Sequence, residues 1–190
     1  MKKITLMLLT LTFMFTSGMA VADAAADAKA DEATVKQFKA SPVVQNFHKS
    51  AYGYAVFPKI GKGGLGIGGA HGKGRTYVGG KRTGTASMSQ VTIGFQAGGQ
   101  AFAQLIYFED QRAYDNFTSG KFEFGAQAQA IAVTSSAGAG ASTAGGTSGQ
   151  ANTKQTKTEY SNGMVVFTMG KGGLMYEASV GGQKFGWKAD

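Results

Sequence analysis

The residues of this chain that could do chemistry are mainly its cations. No Asp or Glu occurs between Ala33 and Phe108, whereas nine Lys and Arg residues lie in that stretch. A long segment of one charge sign produces a field that attracts phosphate groups. We therefore predict an anion-binding surface made by the six cations that fall close together among glycines: Lys59, Lys62, Lys73, Arg75, Lys81 and Arg82.

Residues for catalysis or metal binding are scarce. The chain has no cysteine and two histidines, His48 and His71, with no acid near either in sequence, which is a poor donor set for zinc. The sequence Gly64–Gly69 matches G-x-G-x-x-G, but neither a helix-forming segment nor an acid about twenty residues later follows it, as a dinucleotide site requires. We expect a non-enzymatic protein without a metal or cofactor.

The first residues are typical of a targeting signal. Two lysines precede an uncharged apolar run over Ile4–Phe15, and Ala20-Val21-Ala22 resembles a cleavage site. The run is too short to span a bilayer as a helix. We predict a secretory signal peptide over residues 1–22 and an exported protein, periplasmic or peripherally associated with the cell envelope, for which nucleic acid is not an expected partner.

The sequence predicts a few helices followed by strands, and these secondary-structure elements would position the cations. Thirty glycines among 190 residues exclude a mostly helical chain. We predict an N-terminal helical segment over 23–50, with a helix over 42–51 that begins at Pro42, and another helix over 109–117. Strict alternation around Val91 predicts a half-buried strand, and Asn162-Gly163 predicts a hairpin turn.

These elements predict an α+β fold, in which N-terminal helical segments pack on a curved antiparallel sheet or partly closed β-barrel. We assign residues 51–190 to one β-rich domain. Within it, residues 135–157 carry almost no bulky side chain and are predicted to form a low-complexity loop.

Residues 51–69, AYGYAVFPKIGKGGLGIGG, resemble the SYLF lipid-binding domain family, with its Phe-Pro start followed by Lys-x-Gly-Gly. Gly94–Gln100 and Leu105–Phe117 resemble further elements of that family, although Ala86-Ser87 stands where it usually has Trp-Ser. The resemblance implies binding of phosphoinositides or other acidic lipids through basic residues and an N-terminal amphipathic segment. Eukaryotic relatives are linked to actin, which an exported protein would not meet. The expected partner is therefore an anionic phospholipid membrane surface.

Two alternatives from other classes remain open at this stage. Glycine, aromatic residues and alternation also suit a small outer-membrane β-barrel. A structural periplasmic protein that binds a protein partner is the other possibility. If apolar insertion rather than charge drives membrane binding, the sequence points to Val43, Val44 and Phe47 on the short helix.

Overall fold

The computed structural model describes residues 24–94, 100–126, 128–133, 143–144, 159–171 and 180–190. In this part of the chain there are three helices: α1 over 24–38, α2 Pro42–Ser50 and α3 Gln111–Thr118. The same residues contain the strands β1 Gly53–Val78, β2 Lys81–Gly94, β3 Gln100–Phe108, β4 Phe122–Glu123, β5 Ile131–Ala132, β6 Thr143–Ala144, β7 Met164–Gly170 and β8 Lys184–Ala189.

The strands form one curled, open sheet in the order β4-β8-β2-β1-β3-β7-β5-β6, shaped as a half-barrel. The predicted α+β class is confirmed, with one difference. The β5–β7 pair is parallel, so the sheet is mixed rather than wholly antiparallel. The predicted signal peptide and nearly all of the 135–157 segment lie outside the described residues.

Strand β1 doubles back and thereby holds the centre of the sheet. Its residues 53–62 pair with β3, whereas residues 66–78 pair with β2. The two halves lie against each other. The stacked rings of Tyr54 and Tyr77, with centroids 5.0 Å apart, show this contact. A Cβ on Gly72 would come within 2.6 Å of the Ile60 side chain. The absence of a side chain at Gly72 is therefore what permits this close approach.

Turn chemistry connects β1 to β2. Gly79 and Gly80 have φ values of 56° and 77°, the left-handed region that two-residue hairpin turns require and glycine adopts without strain. Asn162 and Gly163 take the same conformation, with φ of 53° and 76°, immediately before β7. The turn predicted at Asn162-Gly163 is confirmed.

The sheet buries apolar side chains on both faces. On the outer face, α1 and α2 cover β1, β3 and β7, with Phe38 and Val44 fully buried against Leu105 and Phe167. On the inner face, α3 packs Ala113 and Phe117 into the concave core. The predicted helices over 42–51 and 109–117 are observed as α2 and α3.

Asp110 is the N-cap of α3. Its carboxylate accepts a hydrogen bond of 2.8 Å from the Ala113 amide, which satisfies one of the free amides at the helix start.

Candidate functional site

The Arg75 guanidinium lies in the protein interior and not on the predicted anion-binding surface. Arg75 is 5% exposed and Asp31 of α1 is 2% exposed. The Arg75 Nε donates to Asp31 Oδ2 at 2.7 Å, its Nη2 pairs with Asp31 Oδ1, and its Nη1 lies 3.2 Å from Asp27 Oδ1. Tyr77 donates its hydroxyl proton to the same Asp31 carboxylate at 2.7 Å. Arg75 is therefore corrected from a lipid-binding residue to the anchor that fastens α1 to the sheet.

The contacts with Asp31 keep both Arg75 and Tyr77 protonated. Burial and the hydrogen bond to Asp31 raise the pKa of Tyr77, so its hydroxyl keeps its proton. Burial alone would lower the pKa of Arg75, but the hydrogen bond and charge of Asp31, with Asp27, raise it overall. Each charge of the group has a partner, and loss of one partner would leave an uncompensated buried charge between α1 and the sheet.

Two other predicted cations lie at the turn end of the β1–β2 hairpin. Arg82 forms an ion pair with Asp190, Nε to Oδ2 at 2.5 Å, and Lys81 is exposed beside the Gly79-Gly80 turn. Lys81 lies six residues along β2 from Ser87, the pairing partner of Lys73, which is about 20 Å along a strand. The six cations therefore do not converge on one site.

Lys73 is exposed on the outer face of the sheet. Gly72 faces Ile60 on the inner side, and successive strand residues face opposite sides. His71 and Lys73 therefore face outward, and both are exposed. Lys59 is exposed next to buried Ile60, whereas Lys62 is half-buried.

Strand β8 brings two further lysines to the same face, which reasoning from the sequence missed. Ser87 pairs with Lys73 on one side and with Gly186 on the other, and Ser89 pairs with His71 and Lys184. Thr85 pairs in turn with Lys188. We call the exposed outward residues of β1, β2 and β8 the basic face: His71, Lys73, Ser87, Ser89, Lys184 and Lys188.

Four described acids lie near the basic face, and each is paired: Asp27 and Asp31 with Arg75, Glu123 with Lys184, and Asp190 with Arg82. The Lys184 ammonium lies 3.7 Å from the Glu123 carboxylate, with both side chains about half or more exposed, and such a pair contributes little in water. Asp190 lies at the far end of the face, where Arg82 already pairs with it. The face therefore keeps an excess of positive charge.

Two aliphatic side chains are exposed further along the β1–β2 hairpin, on the same outer side as these cations. Ile67 is 75% exposed and Val91 is 77% exposed. Val91 pairs with Gly69, two residues from Ile67, so both project from the outer side of the hairpin. We call Ile67 and Val91 the aliphatic tip.

The exposure of Val91 reverses the usual orientation of an alternating strand. Its polar neighbour Gln90 is the buried one, at 8% exposure. The Gln90 side-chain amide donates to the Gly181 carbonyl at 2.9 Å, and Gln183 bonds both Gln90 and Gln104 in the concave interior. These hydrogen bonds satisfy the buried side-chain amide of Gln90. The strand can therefore bury Gln90 and expose Val91 to solvent.

The apolar residues of α2 are already used in packing. Val44 is fully buried, and Val43 and Phe47 pack on the outer-face core. The Phe47 ring contacts Tyr160 and Phe167 at centroid distances of 5.0 Å and 5.7 Å. These three residues are therefore corrected from candidates for membrane insertion to core residues.

His48 on α2 faces the sheet. Its Nδ1 lies 3.0 Å from the hydroxyl of fully buried Tyr107. Burial and the nearby charge of Lys39 lower the pKa of His48, and burial raises the pKa of Tyr107. The neutral imidazole can therefore accept the Tyr107 proton, which makes the pair a structural contact.

Acidification should destabilise the protein through His48. Its pKa in the fold lies below the ordinary value of 6.5, so the unfolded chain binds more protons and stability falls as pH drops through and below 6.5. Urea unfolding midpoints at pH 7.5 and pH 5 should show this loss, and His48→Gln should show a smaller one. An equal loss in both proteins would assign the effect to other groups.

The described residues contain no group of three or more His, Cys, Asp or Glu side chains placed to hold a metal ion. None of the helices in this part of the chain is long and apolar enough to span a membrane.

The chain shows a distant similarity to a curated protein. No protein-family model matches the chain. The curated protein beta cell expansion factor A of Aeromonas veronii is 29% identical to it over 159 residues, which are 82% of this chain and 53% of that protein. The chain thus spans about half the length of this relative, to which it is similar over most of its own length.

Proposed function

We propose that this protein binds the surface of anionic phospholipid membranes through the basic face and the aliphatic tip, without catalysing a reaction. The observation that carries the proposal is the exposure of Ile67 and Val91, at 75% and 77%, on the same outer side of the sheet as Lys73. Aliphatic side chains and cations exposed on one side of a sheet suit the two layers of a membrane surface, acyl chains below and phosphates above.

The magnitudes suit reversible peripheral binding. A lysine near an anionic leaflet contributes about 1 kcal/mol, and several are needed for useful affinity. Lys73, Lys184 and Lys188 give about 3 kcal/mol together on that scale. Burial of an aliphatic side chain adds about 1.5–3 kcal/mol, so the aliphatic tip would contribute as much as the lysines.

The resemblance of residues 51–69 to the SYLF family favours the same function. With the signal-like residues 1–22, it favours an exported protein that meets the phospholipids of the cell envelope. The basic face of the fold, rather than the six cations grouped along the sequence, would make the contact. Of those six, Lys73 belongs to it directly, and exposed Lys59 adjoins it.

Site-specific fluorescent labels test this orientation on the membrane. The chain has no cysteine, so Val91→Cys and, as a control, the exposed Lys121→Cys each accept one environment-sensitive dye. With phosphatidylglycerol vesicles, we expect the emission of the Val91 label to shift to shorter wavelength and that of the Lys121 label to stay unchanged. Binding that leaves the Val91 label in water would contradict the proposed orientation, and binding only to a protein partner would contradict the function.

A further inference from the structure

We infer that the outer surface of β8 at Gly186 is a seat for the phosphate of a phosphomonoester lipid headgroup. The inference rests on the proposed membrane function and names the headgroup class that the basic face would select.

The seat is Gly186, which has no side chain and whose neighbours on the same side carry hydrogen-bond donors. Gly186 faces outward, because its neighbour Phe185 is buried in the inner core at 3% exposure. Lys184 and Lys188 flank it two residues away on the same side, both exposed. Ser87 lies directly across from it on β2. A Cβ on Gly186 would come within 2.9 Å of the Ser87 Oγ, so the hydroxyl lies over the bare backbone.

Three lysines occupy strand positions around the seat. Lys184 and Lys188 are about 13 Å apart along the strand, and their flexible four-carbon stems can bring both ammonium groups over Gly186. Lys73 pairs with Ser87 from the opposite side, one strand further away. The Glu123 carboxylate lies 3.7 Å from the Lys184 ammonium, and this exposed pairing leaves the ammonium free to exchange partners.

This donor set matches a phosphomonoester better than a phosphodiester. A monoester carries up to two negative charges and three terminal oxygens that accept hydrogen bonds. Two ammonium groups and one hydroxyl supply one donor to each oxygen, and such charge-assisted hydrogen bonds are stronger than neutral ones. A diester carries one negative charge and two terminal oxygens, so it attracts the two ammonium groups less strongly.

Vesicle binding measures this selectivity. Phosphatidic acid and phosphatidylglycerol vesicles are prepared with matched zeta potential, so that general electrostatic attraction is equal. We expect the wild-type protein to bind phosphatidic acid about 10-fold more tightly, the scale of one hydrogen bond to a charged group. Ser87→Ala, which leaves the charge unchanged, and Gly186→Val, which fills the seat, should each reduce the preference below about 2-fold while phosphatidylglycerol binding stays the same.

Two matched variants serve as controls. Ser50→Ala removes an exposed hydroxyl on α2, and Gly61→Val adds a side chain where nothing lies within 4 Å. Both should keep the full preference. Equal binding to the two lipids at matched potential, or an equal loss in the controls, would overturn the phosphate seat and leave membrane binding standing. Failure to bind either vesicle would overturn the proposed function and the seat with it.

Discussion

Arg75→Met is expected to lower the free energy of unfolding by about 3–5 kcal/mol, the usual cost of leaving a buried charge without its partner. Asp31 is 2% exposed and accepts two of its three side-chain bonds from Arg75. After the substitution its carboxylate would face an apolar side chain, with only Tyr77 as a donor. Urea unfolding followed by circular dichroism measures the loss, and hydrogen exchange of the α1 amides reports whether α1 detaches first.

Two further variants separate this effect from a loss of packing. Replacing the whole group with apolar residues, Asp31→Leu, Arg75→Met and Tyr77→Phe together, should recover most of the stability, because no unpaired polar group then remains buried. Arg112→Met breaks an exposed pair, Nη2 to Asp110 at 3.4 Å, and should cost less than about 1 kcal/mol. A cost for Arg75→Met as small as that of Arg112→Met would refute the anchoring role.

The position of Arg75 illustrates what the sequence could not supply. Its charge and its place among glycines resemble those of Lys73, two residues before it. The difference is Asp31, which lies 44 residues earlier in the chain and meets Arg75 only once α1 packs on the sheet. Alternation places Lys73 and Arg75 on one face, but only the tertiary structure decides which of them α1 covers.

The basic face was missed for a related reason. Residues 109–190 have balanced charge, so the charge distribution along the sequence does not indicate that Lys184 and Lys188 belong to an anion-binding surface. A signal was nevertheless present, because these lysines alternate with Phe185 and Trp187 and therefore lie on the polar side of a strand. Their approach to Lys73 depends on the β2–β8 register, which involves residues about 100 positions apart.

Sequence patterns predict correctly those features of the fold that interactions between neighbouring residues determine. The helices, the Asn162-Gly163 turn and the α+β class follow from spacing, capping and turn chemistry. Alternation around Val91 predicted a strand correctly, but periodicity does not say which side is buried. Gln90 is on the buried side because its partner is the Gly181 carbonyl, 91 residues away.

We propose that a defined face of the fold, and not net charge, binds the anionic membrane. The triple variant Lys73→Glu, Lys184→Glu, Lys188→Glu reverses the three lysines of the basic face. Its matched control, Lys36→Glu, Lys49→Glu, Lys121→Glu, reverses three exposed lysines on α1, on α2 and after α3. The two proteins have the same net charge and differ only in where it lies.

Co-sedimentation with phosphatidylglycerol vesicles at low salt decides between the two explanations. At about 1 kcal/mol for each lysine near the surface, loss of three alone predicts about 100-fold weaker binding, and the added repulsion weakens it further. We expect that loss in the basic-face variant and less than about 10-fold weakening in the control, with wild-type binding declining as salt screens the charges. Equal weakening of the two folded variants would contradict the claim, because binding would then depend on net charge alone.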